Sequence, residues 1–409
     1  MIDATPEDVT PEEVGLCPTR LARVGAWAEK LVADGKLAGV ITMVARRGKV
    51  AHLHCTGLAD LERGTAMAPD TIFRIYSMTK PLTSVAMLML YEEGHFQLDD
   101  PITRFLPYFA NMRVMSGGQR GKIETVPATR DITFRDLMTH TSGLTYGFME
   151  STLVDAMYRE RKIGFQGLPG TLGEMVERLA EIPLIAQPGT AWNYSHSTDV
   201  LGHLVAVVSG QSLESFLAER VLGPLGMVDT GFYVPEASQS RFAANYGWGP
   251  DGKLLLIDDP QASPYLSPRG MASGGGGLVS TAADYMRFCQ FMLNMGELDG
   301  TRLLGVKTVE LMTSNHLGGD MAAMGQARFS ESTYEGIGFG LGFSVMLDPA
   351  RAQIIGTPGE YAWGGAASTA FWVDPEEDMA VILLTQLMPS STYPIRRELR
   401  VLTYQAIVE

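Results

Sequence analysis

Cysteine is scarce in this chain: three in 409 residues, Cys17, Cys55 and Cys289, odd in number, far apart and without CxxC spacing. That argues against a disulfide framework and reads as three buried thiols. Long apolar runs are missing as well. No stretch of 18 or more apolar residues occurs, and the opening MIDATPEDVTPEEVGLC has no basic-then-apolar leader, so the expectation is a cytoplasmic protein with no membrane partner. Positive charge is in short supply, with 32 Lys and Arg against 46 Asp and Glu and a formal net charge of -14. No broad basic face is left to neutralise phosphates, which sets nucleic acid aside as a partner. Repeats and low-complexity tracts are absent too. With 45% hydrophobic and 19% charged residues, the chain reads as globular.

Several catalytic signatures are also lacking. There is no GxSxG, so the nucleophile elbow of the α/β-hydrolases is missing. There is no HExxH, and His52 with His54 on a strand pattern share a face without further metal ligands nearby. The GGGG run at 274–277 is followed by no GK[ST], and reads as a close-packed turn before a helix capped by Ser280 or Thr281, with Asp284 in its first turn.

What is present divides into sheet-forming ends and a helical middle. The 409 residues allow two or three domains, or one large domain with an insertion. A helix is predicted over TRLARVGAWAEKLVADGK, where Leu21, Val24, Trp27 and Leu31 recur at helical spacing, then a hairpin from LAGVITMVA and VAHLHCTG about Gly48. From Ser77 onward helices are predicted at 78–94, 133–139, 171–181, 197–209, 212–222, 282–295 and 306–313, with few strands. Strand signals return in GFGLGFSVML, AQIIGTP, AASTAFWVD and DMAVILLTQ, with turns at Asp348-Pro349 and Asp374-Pro375, before a closing helix YPIRRELRVLTYQAIVE. The pattern predicts an α+β fold. An antiparallel sheet domain is built from residues 1–76 and 331–409 together, a mainly helical domain spans 77–330, and the active site lies between them.

Three short elements carry chemistry. In FRIYSMTKPLTSVAMLML, Ser77 and Lys80 stand three apart at a helix start. Such a serine is ordinarily a cap and such a lysine ordinarily solvated. Here, however, Val85, Met87, Leu88 and Leu90 cover several faces of the helix, which marks it as buried. Residues three apart share a face, so the Lys80 amine could accept the Ser77 proton in a desolvated pocket. Pro81 fits only within the first turn.

Tyr194, in QPGTAWNYSHSTDV, lies on a loop feeding a second buried helix. It is either a core tyrosine or a second proton carrier beside Lys80. In GEYAWGGAASTAFWV, Trp363-Gly364-Gly365 opens a predicted strand. The glycines mark either a bulge or close backbone approach to a ligand. An acyl-transfer site needs two N–H donors for its oxyanion; those of Ser77 and Ala366 are the candidates.

In this order, SxxK at Ser77 and Lys80, Tyr-Ser at Tyr194 and Ser195, and Trp-Gly-Gly at 363–365 resemble the serine β-lactamase and penicillin-binding-protein superfamily. The chain resembles its class C β-lactamase-like branch, and within that the family VIII carboxylesterases, from about residue 16 onward. LMTHTSGL, PGTAWNYS, LGPLGM and GGGGLVSTAADYMRF support the likeness. The resemblance implies a β-lactamase/DD-peptidase-like fold and a covalent acyl-enzyme with no cofactor and no metal. Ser77 is then the nucleophile, Lys80 the base or proton relay, and Tyr194 the group that activates serine and returns a proton to the leaving group.

Two departures bear on substrate. Trp363-Gly364-Gly365 stands where class C β-lactamases carry Lys-Thr-Gly, which removes a cation for a β-lactam carboxylate and favours a small-molecule ester. His196 stands where asparagine is frequent, and is either a substrate contact or a structural hydrogen-bonder. With Trp363, Gly364, Gly365 and His196, Phe148 of YGFMESTLVDAMY is a candidate for the substrate-binding wall; its neighbours Met149, Met157 and Tyr158 fit a pocket or a core equally. The expected activity is hydrolysis of small carboxylic esters with short to medium acyl chains. Weak β-lactamase, D-amino-acid peptidase or acyltransferase activity on the same site is the alternative, and a catalytically silent binding protein is the rival of another class.

Overall fold

The computed structural model describes residues 9–164, 170–268, 270–325, 328–329 and 332–409. The predicted domain boundary at 330 and 331 lies outside them, as do residues 1–8 of the predicted sheet domain.

Helix α1 (Pro18–Ala33) opens on a proline, whose missing N–H falls where a helix has no partner for it. It buries Leu21, Val24, Ala28 and Leu31 on one face. Strands β1 (Gly39–Arg46) and β2 (Lys49–Asp60) follow as a hairpin. Its turn residues Arg47 and Gly48 both take left-handed φ, 53° and 72°, which matches the twist of the flanking strands. A short β3 (Thr65–Ala66) completes the N-terminal part.

The C-terminal part supplies β4 (Ile337–Phe339), β5 (Ser344–Met346), β6 (Tyr361–Gly364), β7 (Ala370–Asp374) and β8 (Met379–Leu384). All eight form one antiparallel sheet in the order β4-β5-β6-β7-β8-β1-β2-β3. The two ends of the chain meet where β1 pairs with β8, Ile41 opposite Leu384.

Both faces of this sheet are covered. Along β8, Ala380, Ile382 and Leu384 enter the main core, while Met379, Val381 and Leu383 enter a second core with α1 and the terminal helix α5 (Ile395–Tyr404). A strand buried on both faces reads as a continuous apolar run. In the middle segment, helix α2 (Thr79–Glu92) buries every residue from Thr79 to Leu90. It packs against α3 (Ser197–Ser209), and α4 (Ala282–Leu293) lies on β8. Six of the seven predicted helices of this segment are found within two residues of their expected ends. The seventh, at 212–222, divides into Leu213–Leu217 and a π-helical turn Ala218–Leu222.

Other expectations are corrected. Among its described residues the middle segment holds strand hairpins, notably Arg113–Gln119 with Lys122–Pro127 and Asn245–Trp248 with Leu254–Asp258, and a short one, Glu297–Leu298 with Thr301–Arg302; the first is mostly exposed and glycine-containing, so it lacks the apolar alternation that announces a strand. A helix at Leu153–Glu160 escaped prediction, although Thr152 and Asp155 form the reciprocal capping box that signals one. AQIIGTP is no strand. Asp348 accepts from the Ala350 and Arg351 amides and Pro349 follows as first helical residue, so a helical turn Pro349–Ala352 forms just before it and ends on its first residue, and 353–358 continue as turn and irregular chain. GFGLGFSVML is two short strands, β4 and β5, broken at Gly340 to Phe343. Of the three thiols, Cys289 is buried, whereas Cys17 and Cys55 are half-buried. No single helix among the described residues is long and apolar enough to cross a membrane.

Candidate active site

Ser77 lies in a 3-10 turn, Tyr76–Met78, that runs directly into α2. The turn is entered through Tyr76 at φ +44°, a left-handed conformation costly for a non-glycine residue. Neighbours hold it there: the Ile75 N–H donates to Leu278 O at 3.1 Å, and the Tyr76 hydroxyl accepts from Asn245 at 2.9 Å. Ser77 is therefore not the helix cap; Met78 occupies that place. Lys80, the second residue of α2, is 1% exposed. Pro81 is third, inside the turn whose N–H groups lack helical partners.

A buried ammonium without partners costs several kcal/mol. Lys80 has them. Its Nζ donates to Gly275 O at 2.6 Å and lies 3.3 Å from Ser77 Oγ. It also sits 4.6 Å from the Tyr194 ring centre and 5.4 Å from that of Tyr146, contacts worth about 0.5–2 kcal/mol each.

Beneath this pair is the buried carboxylate of Asp199, in the first turn of α3. Burial raises its pKa, but the hydrogen bond and charge of His196, the Ser273 hydroxyl and the Lys80 charge outweigh that and hold it below the ordinary carboxylate value. One oxygen accepts from Ser273 Oγ at 2.6 Å and from the Gly275 N–H at 3.0 Å. Asp199 thereby braces the residue whose carbonyl receives Lys80. A side chain at 275 would place its Cβ 2.9 Å from that carboxylate and 3.1 Å from the Tyr146 hydroxyl. His140, with Nδ1 3.2 Å from Ser195 Oγ, is pushed well below the ordinary histidine pKa, by burial first and then by the Lys80 charge. It is a neutral ring.

Tyr194 is 3% exposed, and its hydroxyl accepts from Trp363 Nε1 at 3.3 Å. Trp363-Gly364-Gly365 closes strand β6 rather than opening one. Both glycines answer to the protein's own backbone: a Cβ at 365 would lie 2.4 Å from Ile75 O, and one at 364 would lie 2.7 Å from Thr369 O. The end of β6 is thus pressed against the residue leading into the Ser77 turn. An L side chain at either position would pry them apart.

Above these groups opens a cavity of about 670 Å³. Ser77, Tyr194, Phe148, Trp363, Gly364, Gly365 and Ala366 all line it. Much of the remaining wall is apolar, with Tyr334, Ile337, Met346 and Ile354. The sequence matches the family model described as Beta-lactamase over residues 24–405. The chain belongs to the beta-lactamase family.

Among relatives of this beta-lactamase-family chain, an uncharacterized protein of Mycobacterium tuberculosis (strain CDC 1551 / Oshkosh) is 39% identical over 87% of each chain. Esterase EstB of Burkholderia gladioli is 33% identical over 89% of this chain and 90% of its own. Among solved structures, EstCE1, "a hydrolase with promiscuous acyltransferase activity", superposes with a TM-score of 0.79 at 27% identity, covering 94% of this chain and 99% of that one.

One residue expected at the substrate wall of this beta-lactamase-family site is elsewhere. His196 does not line the cavity; it is buried, its Nδ1 2.7 Å from Asp199 Oδ2 and its ring against Tyr146 at 4.3 Å. Standing at the cap position of α3, it is directed into the core, and the substrate contact becomes a structural hydrogen bond. Near Phe148, the Tyr158 side chain is buried and Met157 packs on the core, so of that stretch only Tyr146 and Phe148 reach the cavity. Tyr146, Asp199 and Gly275 were missed by sequence reasoning. Each had a signal: Gly275 in the GGGG run, Asp199 five residues past Tyr194, and Tyr146 as the first residue of YGFMESTLVDAMY.

Proposed function

We propose that this protein is a serine carboxylesterase acting on small esters through a covalent acyl-enzyme. The observation that carries the reading is the buried Lys80 amine 3.3 Å from Ser77 Oγ, at the base of a largely apolar cavity. The names of EstB and EstCE1 support it. Ser77 Oγ attacks the ester carbonyl as its proton passes to the Lys80 and Tyr194 pair, which acts as base in the form that has one of its two protonation sites empty. The oxyanion forms between the Ser77 and Ala366 N–H groups. Collapse breaks the bond to the alcohol, which leaves with a proton returned through Tyr194. Water then adds to the acyl carbon, loses its proton to the same pair, and releases the acid and free Ser77.

A second reading, transfer of the acyl group to an alcohol in place of water, is favoured by the cavity volume of about 670 Å³, which accommodates an acyl chain and an acceptor together. The test is hydrolysis of p-nitrophenyl acetate, butyrate and octanoate beside a chromogenic cephalosporin, with and without added alcohols. Ester turnover is expected to fall by about 10⁴-fold or more in Ser77→Ala, with little cephalosporin cleavage in either protein. Turnover surviving Ser77→Ala, or absence of an acyl mass shift on wild-type Ser77, would refute the reading.

A further inference from the structure

Strand β6 ends at Gly364, so the donor assigned to Ala366 lies beyond the strand ladder and needs another constraint. Its direction is set by its own peptide unit. The Gly365 carbonyl and the Ala366 N–H belong to one planar trans unit and point in opposite directions. That carbonyl accepts from Arg396 Nη2 at 2.7 Å. The same nitrogen donates to Thr369 O at 2.9 Å, which also takes the Gly365 N–H at 2.9 Å.

We infer that Arg396, on α5, is a positioning residue that aims and polarises the Ala366 N–H toward the oxyanion, an inference resting on the proposed acyl-enzyme chemistry. With the guanidinium on one side of the unit, the N–H is sent to the other. Ala366 lines the cavity, as Arg396 itself does, and among the described residues no backbone acceptor takes the Ala366 amide. A cation on the carbonyl oxygen also draws density from the amide nitrogen and strengthens the N–H as a donor. Gly364 makes the arrangement possible, since a Cβ there would lie 2.8 Å from Arg396 Cζ. The terminal helix is thereby tied to the chemistry through the Gly365 and Thr369 carbonyls that Arg396 holds.

The test uses the full chain with Arg396→Ala and Arg396→Lys, and p-nitrophenyl butyrate as substrate. In Arg396→Ala, kcat is expected to fall about 10- to 100-fold with KM within about two-fold of wild type. Arg396→Lys, which keeps a cation and a donor, recovers part of the loss. The decisive readout is the carbonyl stretch of a ¹³C=O-labelled acyl group held on Ser77 from a hindered, slowly deacylating ester. It should lie at higher frequency in Arg396→Ala than in wild type, because the weakened donor polarises the carbonyl less. Unchanged kcat, a loss confined to KM, or an identical band in both proteins overturns the inference. If Arg396→Ala does not fold, Arg396→Gln, which keeps the aliphatic stem but is neutral and too short to reach the Gly365 carbonyl as the guanidinium does, gives the same reading. Wild-type protein that never acylates on Ser77 would instead overturn the proposed function.

Discussion

The two walls of the cavity are built differently. The floor, Ser77 with Lys80, comes from residues three apart in one helical turn, and side chains supply its chemistry: a hydroxyl, an amine, two tyrosine rings and the Asp199 carboxylate. The strand wall, Trp363 to Ala366, supplies mainly backbone, shaped by what its glycines leave out and held from 31 residues away by Arg396. A floor made of functional groups fails when a group is removed. A wall made of backbone fails when an atom is added.

The largest effects should separate the two. On the floor, Lys80→Ala and Tyr194→Phe are each expected to lower kcat by about 10²–10⁴-fold, because both carry protons in the proposed steps; near-normal turnover in either would remove that residue from the mechanism. On the wall, adding a single methyl should rival these deletions. Gly365→Ala puts a Cβ 2.4 Å from the Ile75 carbonyl, and separating Ala366 from Ser77 by about 1 Å costs on the order of 10²-fold. A Gly365→Ala enzyme with wild-type kcat on p-nitrophenyl butyrate would break the contrast. At the cavity mouth a smaller effect is expected. Phe148, 48% exposed and stacked on Tyr146 at 4.8 Å, should matter only to long acyl chains, so Phe148→Ala raises KM for octanoate by about 10-fold and leaves acetate unchanged.

The smallest effect on activity lies far from both walls, in β2. Burial, with the His54 charge adding, pushes the His52 pKa down to about 4. The unfolded chain therefore binds a proton that the folded chain refuses between about pH 6.5 and pH 4, and stability is lost as pH falls through that window. The loss is at most about 3 kcal/mol. Denaturant midpoints at pH 7 and pH 4.5 should converge in His52→Gln, with kcat at pH 7 unaffected; equal pH sensitivity in the two proteins would assign the loss to other groups.

Much of the floor was legible because its information is local. Ser77, Lys80 and Pro81 fall within one turn, and α2 betrays its burial by apolar residues on all sides. The helix starts at Thr133, Thr171 and Thr281 were legible for the same reason, each capping side chain lying three residues from the amide it accepts. The pairing of the two chain ends followed from strand signals at both.

What sequence could not reach was orientation and contact across the chain. His196 occupies a motif position, yet its ring turned inward to Asp199, since the rotation of α3 is set by packing against α2. Gly364 and Gly365 were visible as glycines, but Ile75, Thr369 and Arg396 as the reason for them were not. By itself the sequence determined which helical turn carries the serine and lysine and that the chain ends share a sheet, because capping, periodicity and i,i+3 spacing act between near neighbours. Only the tertiary structure decided which peptide faces the cavity, which histidine is buried and which arginine holds the wall, because those depend on the docking of β6, α3 and α5 against residues far away in the chain.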